Sequence, residues 1–405
     1  MSKFFEDGIT DCLLKSIMEN PDVPHVCEAS YEAELYVSMG HFDPATLSNN
    51  FDEVLIQFTQ FVQQYKSKIP CKVITVGYDH IQPYKMYGNR DQSELIDYPE
   101  FNPEKSVYYL PPETEIVTWK TRFFHDAVNE MSRQGQGGVG VNWINDLSVS
   151  KLFTSLIHRP TKWHRKILLQ LLNDRNAFRK GVVRVANDDK LWAAVLNGDL
   201  DHDTHFKDLT EVLIRNAPHI FSPFKYWDFD GPGWQIDPFY AEGLFDIVPE
   251  TQHGISMLTQ KSCQPILYRK PFCVIGNSYQ NHLLKDLGFE LFDEVFDYST
   301  EVPNDNPRFY RYDNFYNHMD NMLKNMWDID TSLTSLHTWE MKFRPKLDHN
   351  LGRYMEILFS DDYIPEELLE NPDCGVMKLV NRSRLSALEN PRFEKFVPLK
   401  FRIFD

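Results

Sequence analysis

Four short apolar runs in the second half of the chain constrain its fold most. They fall at residues 151–157, 182–185, 241–248 and 272–275, and helical patterns or polar loops separate them. Strands that are apolar along their whole length are typical of parallel sheets covered on both faces. Alternation of such strands with helices predicts an α/β fold.

The stretch from 249 to 276, PETQHGISMLTQKSCQPILYRKPFCVIG, contains the most specific pattern. Thr259 suits the N-cap of a helix, and Lys261 then falls in the first turn. A lysine there opposes the helix dipole, but it suits a helix whose free N–H groups face an anion. The stretch therefore predicts a loop, an anion-facing helix and a central strand, which together form a site for a nucleoside diphosphate.

Composition limits the partners and the compartment. The 405 residues are enough for two domains, and 42 basic against 59 acidic side chains give a net charge of −17. Such a field does not attract nucleic acid, so a nucleic-acid contact requires a local basic face. Six cysteines without a CxxC pair predict neither a zinc site nor a disulfide framework. No apolar run approaches the roughly 18 residues of a membrane helix, so we expect no membrane contact and a cytoplasmic protein.

The N-terminal half predicts a first α/β unit. Helices are predicted at 1–20, 51–65 and 122–131, and strands at 72–76 and 113–119. Glycines at 135–140 follow a helix and lack a Lys-Ser/Thr pair, so they match neither phosphate-loop motif and indicate a hinge or a substrate-covering loop. We therefore divide the chain into an α/β domain at 1–150, a second α/β domain at 151–310 and a helical segment at 311–405.

Later elements follow weaker patterns. Helices are predicted at 207–214, 280–287, 315–327, 336–343, 351–358 and 365–370, and a return to the sheet at 292–296. We expect the helical segment to pack on both preceding domains.

Basic residues concentrate between positions 151 and 184, where nine lysines or arginines accompany one acid, Asp174. Arg159 and Arg165 fall at the end of a strand and the start of a helix, the edge where open α/β sheets bind ligands. They are predicted to face an anionic ligand, and a solvated helix face is the alternative. Asp-x-Asp pairs at 201–203, 228–230 and 328–330 match the carboxylates that bind divalent cations. In so acidic a chain such pairs arise by chance, so a metal is possible but not expected.

Two segments resemble a known family. His158-Arg159-Pro160 with Trp163-His164-Arg165 is similar to the Asn-Arg-x-x-x-x-His-Arg turn of phage-encoded glycosyltransferase-like proteins. Glu250-Thr251, Leu258-Thr259-Gln260-Lys261, 271–276 and 287–289 resemble the Glu-Thr, Thr-Glu-Lys, Pro-Phe…Gly and Leu-Gly-Phe elements of the same group. The resemblance covers about residues 151–297, and Gln260 and His158 depart from it by replacing glutamate and asparagine.

The resemblance implies a GT-B-like architecture, in which two Rossmann-like domains face a cleft. It implies that the lysine and the preceding acid contact the diphosphate and ribose of a sugar nucleotide, with no obligatory cofactor. The donor is then a UDP-sugar. The implied donor-binding residues are Arg159, His164, Arg165, Glu250, Thr251, Thr259, Gln260 and Lys261. Glucosyl- and arabinosyltransferases of T-even-like phages belong to this kind of enzyme, so the implied acceptor is hydroxymethylcytosine in double-stranded DNA, within the host cytoplasm.

Transfer to a hydroxyl with inversion requires a base. We expect it in the N-terminal domain, at Asp79, with His80 and Glu28 behind it. Two alternatives remain open: a glycosyltransferase with a polysaccharide or protein acceptor, and a non-catalytic protein that retains the fold.

Overall fold

The computed structural model describes most of the second half of the chain and four strands of the first. The described residues are 149–157, 163–185, 213–216, 238–250, 260–276, 279–301, 312–364 and 375–402, the single residues 128, 211, 258, 369, 370 and 372, and the strands at 3–5, 25–28, 72–76 and 115–119. The helix predicted at 51–65 and the glycines at 135–140 lie outside them, as does nearly all of the helix predicted at 122–131.

The N-terminal strands form one parallel sheet. In chain order they are β1 (Lys3–Phe5), β2 (His25–Glu28), β3 (Lys72–Val76) and β4 (Glu115–Trp119), and neighbours in the chain are neighbours in the sheet. The strand predicted at 72–76 is confirmed, and the one at 113–119 begins two residues later. The helix predicted from residue 1 is wrong at its start, because β1 pairs with β2 there.

A second parallel sheet follows. Its strands are β5 (Lys151–Ile157), β6 (Gly181–Val185), β7 (Gly243–Pro249) and β8 (Phe272–Ile275), in the order β6-β5-β7-β8. All four predicted runs are therefore strands, and the protein is α/β. The strand expected at 241–248 begins at Gly243, because a 3-10 turn occupies Pro238–Glu242.

The strand order places a topological switch between β5 and β7. Helix α1 (Trp163–Asp174) leads from β5 to β6 on one side, whereas β7 pairs with β5 on the other side. The loops that leave β5 and β7 therefore diverge at their carboxyl ends. Open α/β sheets bind ligands in the crevice at such a point.

The structure describes further helices in the second half. They are α2 (Gln260–Leu267), α3 (Gln280–Asp286), α4 (Tyr312–Trp327), α5 (Leu333–Phe359) and α6 (Gly375–Glu389). Helix α4 packs on α1, and α5 packs on α2 and α6. Within the described residues, no helix combines the length and apolar character needed to cross a membrane.

Helix α5 corrects the prediction of separate helices at 336–343 and 351–358. It continues through Pro345, because buried Leu336, Phe343, Leu347 and Leu351 recur along one face at helical spacing. Packing of this face outweighs the hydrogen bond that the proline removes. Helix α6 was not predicted from the sequence, and most of the helix expected at 365–370 lies outside the described residues.

The segment 292–296 is a turn and not the predicted strand. The backbone N–H groups of Val295 and Phe296 both donate to the carbonyl of Phe292 at 3.0 Å. Two buried residues, two exposed acids and two buried residues follow one another at 291–296, a helical-turn pattern that lacks the alternation of a half-buried strand. Phe292 lies edge-on to Phe272 of β8 and to Phe343 of α5, so the turn joins the sheet to the helices.

Candidate functional site

Glu250 stands at the carboxyl end of β7 and is fully buried. Its N–H donates to the carbonyl of Ile275 at 2.7 Å, which extends the β7–β8 pairing by one residue. The residue therefore has a fixed backbone at the crevice beside the topological switch.

The first turn of α1 is anchored to this residue. His164 Nε2 donates to the carbonyl oxygen of Glu250 at 2.8 Å. Arg165 donates to the same oxygen at 2.8 Å and to the carbonyl of Pro249 at 3.4 Å, and it is only 2% exposed. The start of α1 and the end of β7 are thus held together from opposite sides of the switch.

The first turns of α2 and α1 meet at Glu250. Ser262 Oγ donates to the Glu250 carboxylate at 2.7 Å. Lys261 precedes Ser262 in the first turn of α2 and is partly exposed. Glu250 therefore binds α1 through its carbonyl oxygen and α2 through its carboxylate.

The structure brings together part of the predicted donor site. His164, Arg165 and Glu250 lie in contact, and Lys261 is in the first turn of α2 as predicted. Gln260 is the first residue of that helix. Arg159, Thr251 and Thr259 lie outside the described residues. Because Arg165 donates to protein carbonyls in the interior, it positions the site, and a direct phosphate contact by its guanidinium stays a prediction.

Of the three predicted bases, the structure describes Glu28. Glu28 is the last residue of β2 and is in register with Val76, the last residue of β3. Asp79 and His80 follow β3 and lie outside the described residues. Their role as a base stays a prediction.

A second polar cluster at the carboxyl edge was not predicted from the sequence. The buried carboxylate of Glu301 accepts from Asn281 Nδ2 at 2.5 Å and from His282 Nδ1 at 2.5 Å. It also accepts from the backbone N–H groups of Asn281 at 3.3 Å and His282 at 3.2 Å. Glu301 thus fixes the first turn of α3. Because Glu301 follows His282 by 19 residues in the chain, no local sequence pattern indicates this contact.

Asn281 ties this cluster to the outer edge of the sheet. Its side chain accepts from the N–H of Val274 at 2.8 Å and donates to the carbonyl of Val274 at 2.9 Å. The amide therefore takes the place of a further strand beside β8. Val274 directly precedes Ile275, which pairs with Pro249 at the end of β7. Asn281 therefore fixes α3 close to the carboxyl end of β8.

His282 is the exposed member of the cluster. Its side chain is 31% exposed, whereas that of Glu301 is fully buried. The ring of Tyr279 stacks on it, with centroids 5.0 Å apart and an interplanar angle of 12°. The hydrogen bond to Glu301 raises the pKa of His282 above its ordinary value, and partial burial opposes that effect.

A third polar cluster lies in the amino-terminal half of the same sheet. Lys270 Nζ donates to the carbonyl of Tyr240 at 2.6 Å and to Thr154 Oγ1 at 3.1 Å, and it lies 4.0 Å from the centre of the Tyr240 ring. The Tyr240 hydroxyl donates to the Asp246 carboxylate. Burial raises the pKa of Asp246 to about 6 and lowers that of Lys270 to about 8.

Metal ligation finds no support in the part of the chain that the structure describes. It contains no group of three or more histidine, cysteine, aspartate or glutamate side chains that could hold an ion. Asp330 of the 328–330 pair accepts from the N–H and hydroxyl of Ser332, ahead of α5. The pairs at 201–203 and 228–230 lie outside the described residues.

A comparison of the chain with protein-family models, curated proteins and solved structures finds no match in any of the three.

Proposed function

We propose that the chain is a glycosyltransferase that binds a UDP-sugar in the crevice at the carboxyl edge of the second sheet. The observation that carries the proposal is the convergence on Glu250, where the starts of α1 and α2 meet the end of β7 at the switch point. Helix starts at that position offer N–H groups to a diphosphate. The proposed architecture is GT-B-like, with the N-terminal sheet supplying the acceptor side.

The diphosphate and the ribose of the donor require different contacts. Lys261, in the first turn of α2, and Arg159, after β5, contact the diphosphate. Glu250 accepts hydrogen bonds from the ribose hydroxyls, while Ser262 holds its carboxylate. As the bond to the sugar breaks, negative charge grows on the β-phosphate, and fixed cations stabilise that charge most where water is excluded.

The proposed acceptor is a hydroxyl, first of all that of hydroxymethylcytosine in double-stranded DNA. The resemblance to phage glycosyltransferases favours this acceptor, and basic residues of the N-terminal half are available for phosphate contacts. These residues are Lys66, Lys68, Lys72, Lys85, Arg90, Arg122 and Arg133. A polysaccharide or protein acceptor uses the same donor site.

Nucleotide release tests the activity and separates the acceptors. We expect the protein to release UDP from a UDP-sugar with hydroxymethylated DNA, and much less with unmodified DNA or without acceptor. Equal release in the three arms would assign the acceptor to another class. No release from a panel of UDP-sugars, together with no thermal stabilisation by UDP, would identify a non-catalytic protein, since a ligand of the native state must raise its apparent stability.

Lys261→Ala tests the donor site. We expect it to lose most of the turnover, about 100-fold, because one fixed cation at a developing oxyanion is worth roughly two to three orders of magnitude. Lys378→Ala is the matched control, since Lys378 is an exposed lysine near the start of α6. Normal turnover of Lys261→Ala would refute the site assignment even if the protein transfers sugar.

A further inference from the structure

The imidazole of His282 and the carboxylate of Glu301 form a dyad at the carboxyl edge. Their contact joins His282 Nδ1 to Glu301 Oε2 at 2.5 Å. The carboxylate side chain is fully buried, whereas the imidazole is partly exposed. A buried carboxylate behind a partly exposed histidine is the arrangement that orients an imidazole for proton transfer.

The dyad lies beside the proposed donor site. Pro249 is in register with Ile275, and Glu250 donates its N–H to the same Ile275. Asn281, next to His282 in the chain, holds both backbone groups of Val274 on the other side of β8. Glu250 and His282 therefore flank β8 near its carboxyl end.

We propose that His282 is the general base of the transfer reaction and that Glu301 is its positioning residue. This inference rests on the proposed function and offers an alternative to Asp79, His80 and Glu28. Nδ1–H donates to Glu301, which leaves the lone pair on Nε2. Within the described part of the chain, no side chain or carbonyl bonds Nε2.

The local charges favour a base over an anion contact. Glu301 already accepts the N–H groups of Asn281 and His282 at the start of α3, so a second anion there would meet a carboxylate. The titratable groups that face His282 are Glu301 and Asp286, which favour its protonation, and Lys285, which opposes it. Tyr279 limits the motion of the ring by stacking on it.

The step is a displacement at the anomeric carbon. The proton of the attacking hydroxyl moves to Nε2 as its oxygen forms the bond to that carbon. The bond from the carbon to the β-phosphate oxygen breaks, and UDP leaves with the electron pair. The imidazolium is stabilised by Glu301, and it returns its proton to water after the product leaves.

The decisive measurement is the pH dependence of UDP release by the full-length wild type and variants. We expect His282→Gln to lower kcat by roughly 100- to 10,000-fold, the range for a lost general base, with UDP binding and the KM of the donor unchanged. Glu301→Gln keeps an acceptor for the N–H groups of α3. We expect it to shift the acid limb of the profile to lower pH, because the imidazole loses its anionic partner.

His349→Gln is the control, since His349 is an exposed histidine that also lies near a carboxylate, with its Nδ1 3.9 Å from Glu290. Its profile should match that of the wild type. NMR titration of His282 gives a readout independent of turnover: its pKa should fall in Glu301→Gln. Thermal unfolding identifies variants that fail to fold, and Glu301→Asp then replaces Glu301→Gln.

The outcomes distinguish the dyad from the proposed function. Transfer by the wild type with full activity in His282→Gln overturns the dyad and leaves the glycosyltransferase standing. A raised donor KM at unchanged kcat also overturns the dyad, because it assigns His282 to ligand contact. A wild type that neither binds UDP nor releases it overturns both proposals. Asp79→Asn measured in parallel shows whether Asp79 is the base instead.

Discussion

The second sheet contains a buried carboxylate at its carboxyl edge and another in its amino-terminal half, and the two have different partners. At the carboxyl edge, Glu250 is bound by side chains from the first turns of α1 and α2. In the amino-terminal half, Asp246 is bound by Tyr240, and Lys270 lies against the same tyrosine. Glu250 joins the helices that border the crevice, α1 through its carbonyl oxygen and α2 through its carboxylate, whereas Asp246 binds Tyr240 in the segment that leads into β7.

The amino-terminal cluster lies in the interior, away from the carboxyl edge at which open α/β sheets bind ligands. Thr154, Tyr240, Asp246 and Lys270 are each at most 4% exposed. A Cβ atom on Gly243 would lie 2.1 Å from Thr154 Oγ1, so only glycine fits there. Perturbed pKa values in this sheet therefore do not locate the candidate site. Asp246 and Lys270 of this buried cluster have shifted pKa values, and burial is the main cause of both shifts.

Lys270→Met tests that structural role and should give the largest effect. Lys270 bonds Tyr240 and Thr154, and its charge also opposes that of buried Asp246. Removing one of two opposite buried charges costs about 3–5 kcal/mol, because the remaining charge is left uncompensated. Denaturant unfolding at pH 7 measures the loss. The double variant Asp246→Asn/Lys270→Met should recover part of it, and thermal stabilisation by UDP should persist in both. A loss below about 1 kcal/mol would contradict a structural role for the pair.

The fold of the second half was predictable because its strands are locally encoded. Continuous apolar runs such as Phe272–Ile275 are confirmed residue for residue. The failures arise where tertiary packing decides: α5 passes through Pro345, and the aromatic residues at 292 and 296 pack as a turn. Hydrophobic periodicity alone did not show that the helix continues past Pro345, because the packing of the folded chain decides it.

His318 shows that burial can outweigh opposing interactions, since a hydrogen bond with Thr300 and the charge of Asp297 both act to raise its pKa. Burial lowers its pKa to about 4, against about 6.5 for an exposed histidine. Between these values the unfolded chain binds a proton that the folded protein does not, so stability falls as pH falls from 6.5 to 4 and levels off below. We expect a loss of about 2 kcal/mol between pH 7 and 5.

His318→Gln should remove that slope while keeping a polar partner for Thr300, whose hydroxyl lies 2.7 Å from His318 Nδ1. Unfolding free energies at pH 7 and pH 5 provide the measurement, and the exposed His349→Gln is the control. If the wild type and His318→Gln lose equal stability, the histidine is not the group that titrates. Burial would then have a smaller effect on pKa values in this protein than the values for Asp246 and Lys270 indicate.

The candidate site was predictable only in part. Glu250, Arg165 and Lys261 follow strand ends or helix starts, and such positions can be predicted from a sequence pattern. Ser262 and Glu301 could not be predicted, because their roles depend on partners 12 and 19 residues away that meet only in the folded chain.

Ser262→Ala tests the Glu250 cluster, and its effect on stability should be the smallest of those predicted. It removes the hydroxyl that donates to Glu250 and should cost about 1 kcal/mol, the usual net worth of one hydrogen bond. Because Glu250 is the proposed ribose contact, UDP should bind several-fold more weakly, and calorimetric titration with UDP measures that. Ser262→Thr retains the hydroxyl and should bind nearly as the wild type does.

Ser383→Ala is the matched control, since Ser383 is an equally buried serine whose hydroxyl donates to the carbonyl of Leu379 within α6. Its loss of stability should be similar, yet its affinity for UDP should not change. Equal losses of affinity in the two serine variants would mean that the affinity for UDP depends only on the overall stability of the protein. An effect confined to Ser262 would instead support the proposed contact between Glu250 and UDP.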